Sequence, residues 1–374
     1  MNISRRDFLA GALAAGALPM LPGAALALAD APSLYAASRR EADGSYAAVL
    51  FTAEGDRARL ALPARGHDLT FRPGTGDCVV FARRPGTFAA VFSRDDAARP
   101  PLWFSASEGR HFDGHGVFSG DGRLLYSTEN DFTGDASRGV IGVRDAGAGY
   151  KPVGEFPSAG MDPHDMALLS DGRTLVVANG GIELDPETGR TPLNLATMEP
   201  SLVYIDTATG DIIEKHVLDK ALHKLSIRHL AVAAGDLVAF GCQYEGAAED
   251  FPPLVGFHRL GERPLLMAPP HEIHRGLKNY IGSVAADASG TLIAASAPKG
   301  GRITFWDAES RRFLGEERLI DGCGVADAAE AGNFVLTSGE GCVIEHSLKT
   351  GASHADASLD WSGVSWDNHV IRLW

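Results

Sequence analysis

A repeated pattern of short strands is the feature that most constrains how this chain can fold. Seven segments each contain a short apolar alternation, a turn rich in Gly, Asp, Ser or Asn, and a second apolar strand. The units are anchored at residues 67, 115, 164, 229, 283, 324 and 363, so successive units begin about 39 to 65 residues apart. This spacing is typical of four-stranded propeller blades, which must stack because no blade buries both of its faces alone. The repeat therefore predicts an all-β, seven-bladed β-propeller in preference to a β-sandwich.

The two ends of the chain predict how the ring closes. We interpret the last unit as two strands, at 363–366 and 369–372, after which the sequence ends. Two further strand-like segments, 34–37 and 47–51, precede the first unit. We therefore expect the N-terminal strands to complete the last blade. The longest interval contains extra residues at 180–200, which we expect to form a long loop on one face.

The N-terminal sequence has the features of an export signal. The sequence Ser-Arg-Arg-Asp-Phe-Leu at 4–9 precedes an apolar stretch that is rich in Ala, Gly and Leu and ends in Ala-Leu-Ala. This pattern predicts a twin-arginine signal peptide over residues 1–29 and a mature propeller over 30–374. A membrane anchor is the alternative, but the Gly and Pro residues of the stretch weaken a helix. We expect a periplasmic protein with no membrane association after cleavage.

Charge and cysteine content narrow the function further. The 374 residues include 34 Lys plus Arg and 48 Asp plus Glu, giving a net charge of −14 and no basic tract. Binding to a nucleic-acid backbone is therefore not expected. The four cysteines, residues 78, 242, 323 and 342, show no Cys-x-x-Cys spacing, and we interpret them as free thiols rather than disulfides. Gly-x-Ser-x-Gly, P-loop and His-Glu-x-x-His motifs are absent.

The predicted topology gathers polar residues at one mouth of the central channel. In a propeller blade the start of the innermost strand and the end of the second strand share a face. The candidate residues at strand starts are His67, His115, His164, Arg228 and His229. Those at strand ends are Arg83, Arg84, Glu129, Asn130, Asp131, Asn179, Gln243 and Tyr244. Blades five to seven carry Gly282, Gly324 and Ser362 or Gly363 at the start, so the predicted site is lopsided.

Three interpretations of these residues remain open. His67, His115, His164 and His229 are the nitrogen ligands that iron, copper or zinc accept, so they could hold a metal. The histidines could instead hydrogen-bond neighbouring blades together. In the third interpretation Arg83, Arg84 and Arg228 hold an anionic or polar small ligand. Glu129 or Asp131 could act with His115 in acid–base catalysis, but their spacing specifies no reaction, and we assign no catalytic residue.

Several motifs together resemble a known family. They are Gly-His-Gly-Val-Phe at 114–118, Ser-Thr-Glu-Asn-Asp at 127–131, Pro-His-Asp at 163–165, Asn-Gly-Gly-Ile at 179–182, Ser-Ile-Arg-His-Leu at 226–230 and Gln-Tyr-Glu-Gly at 243–246. The set resembles a bacterial family catalogued as domain of unknown function 1513, with Asp165 where the family pattern leads us to expect Glu. The resemblance implies a twin-arginine-exported periplasmic propeller. It also implies genes encoded beside imelysin-type and di-haem peroxidase-like proteins, in clusters associated with iron uptake, and it implies no activity.

These observations lead to one main hypothesis and two alternatives. We expect a monomeric periplasmic binding or accessory protein for metal acquisition, with iron as the metal that the resemblance implies, rather than an enzyme. The first alternative is a metal-dependent oxidoreductase or hydrolase that uses the same face. The second is a scaffold for a periplasmic partner, for which the resemblance implies an imelysin-type or di-haem peroxidase-like protein.

Overall fold

The computed structural model describes residues 32–189, 191–355 and 361–373, so the predicted signal peptide at 1–29 lies outside the described residues. Within the described ranges the chain forms seven antiparallel sheets of four strands each. The innermost strands of successive sheets pack against one another around a central channel. The predicted all-β, seven-bladed β-propeller is confirmed. None of the helices in these ranges is both long enough and apolar enough to span a bilayer.

The strands follow the chain around the ring. The N-terminal strands, which belong to the closing blade VII, are β1 (Leu34–Arg40), β2 (Tyr46–Thr52) and β3 (Gly55–Leu62). The strands of blade I are β4 (Gly66–Phe71), β5 (Asp77–Ala82), β6 (Phe88–Ser93) and β7 (Leu102–Ser105). The strands of blade II are β8 (Arg110–Phe118), β9 (Leu124–Asp131), β10 (Arg138–Asp145) and β11 (Lys151–Pro157). The strands of blade III are β12 (Pro163–Leu168), β13 (Thr174–Asn179), β14 (Ser201–Asp206) and β15 (Ile212–Val217).

The second half of the ring repeats this order. The strands of blade IV are β16 (Leu225–Ala233), β17 (Leu237–Tyr244), β18 (Val255–His258) and β19 (Leu265–Met267). The strands of blade V are β20 (Ser283–Ala286), β21 (Leu292–Ala297), β22 (Arg302–Asp307) and β23 (Phe313–Arg318). The strands of blade VI are β24 (Gly322–Asp327), β25 (Asn333–Ser338), β26 (Val343–Ser347) and β27 (Ala352–His354), and the last strand is β28 (Ser365–Leu373). The helical elements are α1 (His271–Gly276) and the 3₁₀ turns Ala146–Ala148, Pro186–Thr188, Lys220–Leu222, Ala234–Asp236 and Pro298–Gly300.

Blade VII closes the ring with strands from both ends of the chain. Its strand order is β28-β1-β2-β3, and β28 packs against the inner strands β24 and β4 of the two neighbouring blades. The expectation that N-terminal strands complete the last blade is therefore confirmed. The division of the C-terminus into two strands was wrong, because β28 is one nine-residue strand. Strand β1 occupies the place that a second C-terminal strand would take, with Leu34 paired to Leu373.

Six of the seven inner strands contain a pairing irregularity. On β4 it lies between Gly66 and Leu69, and on β8 it lies between Phe112 and Gly116. Strands β12, β16, β24 and β28 show the same feature, whereas β20 pairs without a shift. A bulge takes residues out of the ladder and redirects their side chains. The irregularities therefore change which side chains the inner strands present to the channel.

The blades are joined by apolar layers and no disulfide forms among the described residues. Phe81 and Phe112, from blades I and II, pack edge to face with ring centroids 5.4 Å apart. All four cysteines are free, as the sequence predicted. Burial raises the pKa of the Cys323 thiol to about 12, so it stays protonated at neutral pH.

The predicted loop at 180–200 lies outside the sheets. Its described residues contain a single 3₁₀ turn, Pro186–Thr188. Ile182, Leu184 and Met198 are buried together, and Phe132, which directly follows strand β9 of blade II, packs against them. The loop is therefore anchored to the propeller by its own small apolar cluster.

Candidate metal centre

Five histidines meet inside the channel. The four predicted from the sequence, His67, His115, His164 and His229, are joined by His369. The ring centroids of the contacting pairs lie 4.6 to 6.0 Å apart. No ring is more than 8% exposed. The structure thus brings the predicted imidazoles together, but buries them within the channel instead of displaying them at its mouth.

His369 is the member that the sequence analysis missed. If 369–372 is a second strand, His369 lies at the opposite end of the blade and Ser362 or Gly363 takes the channel position, but residues 365–373 form one strand. In the structure Trp366 pairs with Arg39 and Val370 pairs with Ala37, so residues 367–369 form the irregular part of one inner strand. The sequence does contain a signal for His369: Asn-His-Val at 368–370 has a polar residue, a histidine and an apolar residue in the same order as Arg-His-Leu at 228–230 on β16.

Two carboxylates hold His115. Its Nδ1 atom lies 3.2 Å from an oxygen of Asp68 on blade I and 3.3 Å from an oxygen of Asp165 on blade III. Burial opposes protonation of this imidazole, yet Asp165 and Asp68 together raise the pKa of His115 to about 10. Asp165 also accepts a hydrogen bond from the backbone N–H of Leu230 at 2.8 Å, which extends the network to blade IV. The Nδ1 side of His115 is therefore fixed by three neighbouring blades.

His67 is held in the same way by the closing blade. Its Nδ1 lies 3.1 Å from Asp367 Oδ1, and that oxygen also accepts from Arg83 at 2.9 Å. The other carboxylate oxygen contacts Arg65. Burial opposes ionisation of Asp367, but the His67 hydrogen bond and the Arg83 charge hold the pKa of Asp367 well below its usual range. This carboxylate fixes the orientation of the His67 ring.

Four ring nitrogens of the cluster have no such partner. His115 Nε2, both nitrogens of His229 and His369 Nε2 are buried, and none has a hydrogen-bond partner in the described part of the chain. Burial and the charge of His115 lower the pKa of His369 to about 4. Burial also lowers the pKa of His67, His164 and His229 well below 6.5. The imidazoles of His67, His164, His229 and His369 are therefore neutral at neutral pH. Each of them has a nitrogen lone pair available to a metal.

One side of the cluster borders an ionic layer. Asp162 accepts hydrogen bonds from Arg84 and Arg228, each at 2.5 Å, and Arg228 lies 3.5 Å from His164 Nδ1. Burial and the neighbouring Asp162 charge raise the pKa of Asp113 well above its ordinary value. The structure therefore brings predicted arginines close to the histidines, but they are paired with carboxylates.

The remaining predicted site residues take part in other contacts. Asn130 bonds Asp113 at 2.8 Å, and Asn179 donates to the carbonyl of Ser158 at 3.0 Å. The other partnerships are Glu129 with Arg144 and Ser127, Asp131 with Arg138 and Thr133, Gln243 with the Ile281 carbonyl, and Tyr244 with Asp250. Within the described ranges, neither Glu129 nor Asp131 is a partner of His115; Asp68 and Asp165 are.

Gly114 allows the histidines to approach one another. Its φ of +106° belongs to the region that glycine adopts readily. A Cβ atom at this position would lie 2.6 Å from Cδ2 of the His67 ring. Any larger residue here would push His67 away from His115, the residue that follows Gly114.

A cavity of about 290 Å³ adjoins the cluster. His115, His229 and His369 form part of its wall, and these are the three of the five channel histidines that have an unpartnered ring nitrogen. Blades V and VI contribute small or apolar side chains, including Val284, Ala285, Ala286, Val325 and Ala326. The lopsidedness predicted from the sequence therefore corresponds to a space beside the imidazoles.

A second group of possible ligands, Glu214, His216 and His258, lies on the outer strands of blades III and IV. Here the hydrogen-bonding capacity of His258 is used within the protein. Its Nδ1 lies 2.5 Å from the Tyr204 hydroxyl, and its Nε2 lies 3.0 Å from the Glu262 carbonyl oxygen. Burial lowers the pKa of His258, which stays neutral. This group is satisfied by hydrogen bonds, unlike the channel histidines.

Comparison with known proteins supports this architecture. A family model described as "Protein of unknown function (DUF1513)" matches residues 60–373. The chain belongs to this family. A twin-arginine translocation signal sequence matches residues 2–22, so this family member is exported to the periplasm by the twin-arginine pathway. A comparison with curated proteins finds no match.

A solved structure shares the fold. Hydrazine synthase from Kuenenia stuttgartiensis is similar with a TM-score of 0.56 and 13% sequence identity. The similarity covers 84% of this chain and 92% of that chain. At this identity the match shows a shared propeller fold and nothing about chemistry.

Proposed function

We propose that this protein binds a divalent first-row transition metal in the periplasm, using His115, His229 and His369 as ligands. Its role is that of a binding or accessory protein in metal acquisition. The observation that carries the proposal concerns the five channel histidines: four of their buried ring nitrogens have no hydrogen-bond partner among the described residues, and all four belong to these three ligands. Ligand nitrogens of the same three residues all lie within 4.8 Å of one another.

A purely structural role of the histidines explains the ring nitrogens that form hydrogen bonds, but it does not explain the unpartnered ones. Hydrogen bonds between blades account for the Nδ1 atoms of His67 and His115. They do not account for the unpartnered nitrogens, and an unsatisfied buried polar atom costs roughly 1–3 kcal/mol. Metal coordination would use those nitrogens at the centre of the cluster. The two interpretations therefore apply to different atoms, and His115 is the histidine that takes part in both.

The charges around the cluster favour a cation. Asp68 and Asp165 both contact His115, and because their side chains are only 16% and 13% exposed, water screens their charge incompletely. Carboxylates behind a metal-bound imidazole fix its tautomer and increase its basicity. A dication on the Nε2 side would replace the proton that these carboxylates otherwise hold on His115. His164 is a poorer ligand because the Arg228 guanidinium lies 3.5 Å from its Nδ1.

The ligand set restricts the metal. Imidazole nitrogen suits zinc, copper, iron and nickel, whereas magnesium and calcium prefer oxygen. Iron, copper and zinc are the candidates named from the sequence, and we propose iron as the physiological metal because the family resemblance implies a setting of iron uptake. All three accept histidine ligands, so the experiment below measures each of them.

The test is the metal content of protein purified from the periplasm. We expect about one iron, copper or zinc ion per chain by inductively coupled plasma mass spectrometry. The double variant His229→Gln, His369→Gln should lose it, because it removes two of the three ligands. The matched control is His223→Gln, His271→Gln, which changes two histidines outside the channel. Equal metal content in both variants, or no metal in the native protein after incubation with each ion, would refute the proposed function.

A further inference from the structure

The cavity beside the three ligand histidines has walls of unequal chemistry. Blades II, IV and VII provide His115, His229 and His369, while the wall from blades V and VI has mainly aliphatic side chains. Its apolar members Val284, Ala285, Ala286, Val325 and Ala326 have no lone pair to offer a metal. In this wall Asp327 is occupied by Arg372, whose Nε donates to it at 2.8 Å.

We propose that a metal on these three histidines keeps a coordination position directed into this cavity and binds a small uncharged molecule there. The inference rests on the proposed function and adds a ligand class to it. Three histidines plus one exchangeable position is the usual composition of a reactive zinc site, in contrast to the four protein ligands of a structural one. His115, His229 and His369 all line the cavity, so the exchangeable position is the one that faces it.

The dimensions of the cavity limit the size of the ligand. Its volume of about 290 Å³ lies at the lower end of the range for small-molecule sites, roughly 300–1,000 Å³. The inner strand of blade V sets this size, because its lining residues at 284–286 are Val, Ala and Ala. A molecule of about five non-hydrogen atoms would fit against the metal with part of the cavity still hydrated.

The charges of the lining select against anions. Asp68, Asp165 and Asp327 supply three carboxylates, and Arg372 supplies the one guanidinium among the lining residues. Arg372 is already paired with Asp327, with a closest contact of 2.6 Å. Once a dication has replaced the His115 proton, its charge is balanced by the carboxylates of Asp68 and Asp165, so the site has no net positive charge to attract an anion. An uncharged ligand needs no such attraction.

The experiment uses the full mature protein loaded with Co(II), whose visible absorption changes when its coordination changes. Imidazole at pH 8 is the uncharged probe, and azide is a smaller, anionic probe that the cavity also has room for. We expect imidazole to change the cobalt spectrum in a saturable manner and to bind at least tenfold more tightly than azide. Ala286→Leu and Ala285→Leu, tested singly, should each weaken imidazole binding at least tenfold with unchanged cobalt stoichiometry.

The control variant is Ala231→Leu. Ala231 is also a half-buried inner-strand alanine that packs against the same apolar cluster as Ala286, but it does not line the cavity. It should bind imidazole like the native protein. A cobalt spectrum that neither probe changes would overturn the inference and leave metal binding intact. Azide binding as tight as imidazole binding, or equal imidazole affinity in all three variants, would also overturn it. Failure to bind cobalt, iron, copper or zinc would instead refute the proposed function.

Discussion

At the scale of single residues, the channel depends on opposite pKa shifts of neighbouring histidines. The two carboxylates raise the pKa of His115 to about 10, whereas burial and the His115 charge lower that of His369 to about 4. In an unfolded chain both would titrate near 6.5. The folded protein therefore keeps one imidazole charged and the other neutral although their ring centroids are 4.6 Å apart.

These shifts predict how the stability of the metal-free protein depends on pH. Below pH 6.5 the unfolded chain protonates His369, but the folded protein does so only near pH 4, so stability is lost as the pH falls through this window. The contribution of His115 has the opposite sign. It is complete below pH 6.5 and is lost as the pH rises through about 10.

The measurement is urea unfolding in the presence of a chelator. We expect the free energy of unfolding to fall between pH 6.5 and 4, with His369 responsible for up to about 3 kcal/mol of the loss. His369→Gln should reduce the steepness of this fall by about one proton, while the control His271→Gln, at an exposed position, should leave it unchanged. A fall of equal steepness in both variants would show that His369 is not buried as a neutral group.

The carboxylates behind His115 give a second prediction at this scale. Asp165→Asn keeps one oxygen, which can still accept from His115, but it removes the negative charge and places an amide NH2 where the second oxygen accepts from the Leu230 N–H. Loss of such a supporting group typically weakens metal binding about 10- to 100-fold. Competition with a chelator of known affinity measures the change, and Asp211→Asn, on an exposed turn, is the control. Native affinity in Asp165→Asn would mean that the charge does not act on the metal.

At the scale of strands, the bulges of the inner strands and the closure of blade VII decide what faces the channel. Residues 367–369 leave the ladder between β1 and β28, which places Asp367 against His67 and brings His369 into the cluster. Strand β20, which pairs without an irregularity, contributes no histidine. Strand β24 has a bulge but carries Cys323 and Gly324 there. The site is lopsided because a channel histidine requires both a bulge on the inner strand and a histidine at that bulge, and β20 and β24 each lack at least one of the two.

Closure by β28 predicts the behaviour of rearranged chains. A chain that ends at residue 364 lacks the innermost strand of blade VII, so we expect no cooperative unfolding transition. A circular permutant restores that strand. It begins at Ser365, its former C-terminus is joined to Ser33 by a short linker, and it ends at residue 355. Because Leu373 and Leu34 are already paired, the linker has only a hairpin turn to span. Circular dichroism during heating compares the two chains. Cooperative unfolding of the truncated chain would show that the ring does not need β28.

At the scale of the whole molecule, the proposed ligands lie on inner strands that are far apart in sequence. His115, His229 and His369 belong to blades II, IV and VII, so a bound metal would connect separate parts of the ring. A ligand that binds the folded state alone stabilises it by about 2.7 kcal/mol at 100 times its dissociation constant.

This linkage predicts a rise in the unfolding temperature when metal is added. The native protein should show the rise in differential scanning calorimetry, as one transition for the ring. The double variant His229→Gln, His369→Gln should show none, whereas His223→Gln, His271→Gln should respond like the native protein. A metal-dependent rise that survives in the first variant would place the stabilising ion elsewhere, for example at Glu214, His216 and His258.

The sequence by itself determined the fold, the export address and four of the five channel histidines. It could do so because the strand repeat and the signal peptide are local patterns, and because equivalent positions in successive blades meet at one axis. Only the tertiary structure decided that His369 joins them, that Asp68, Asp165 and Asp367 hold two of the rings, and that Glu129 lies with Arg144 instead. These outcomes depend on strand register, bulges and contacts between residues up to about 300 positions apart, which no local pattern encodes.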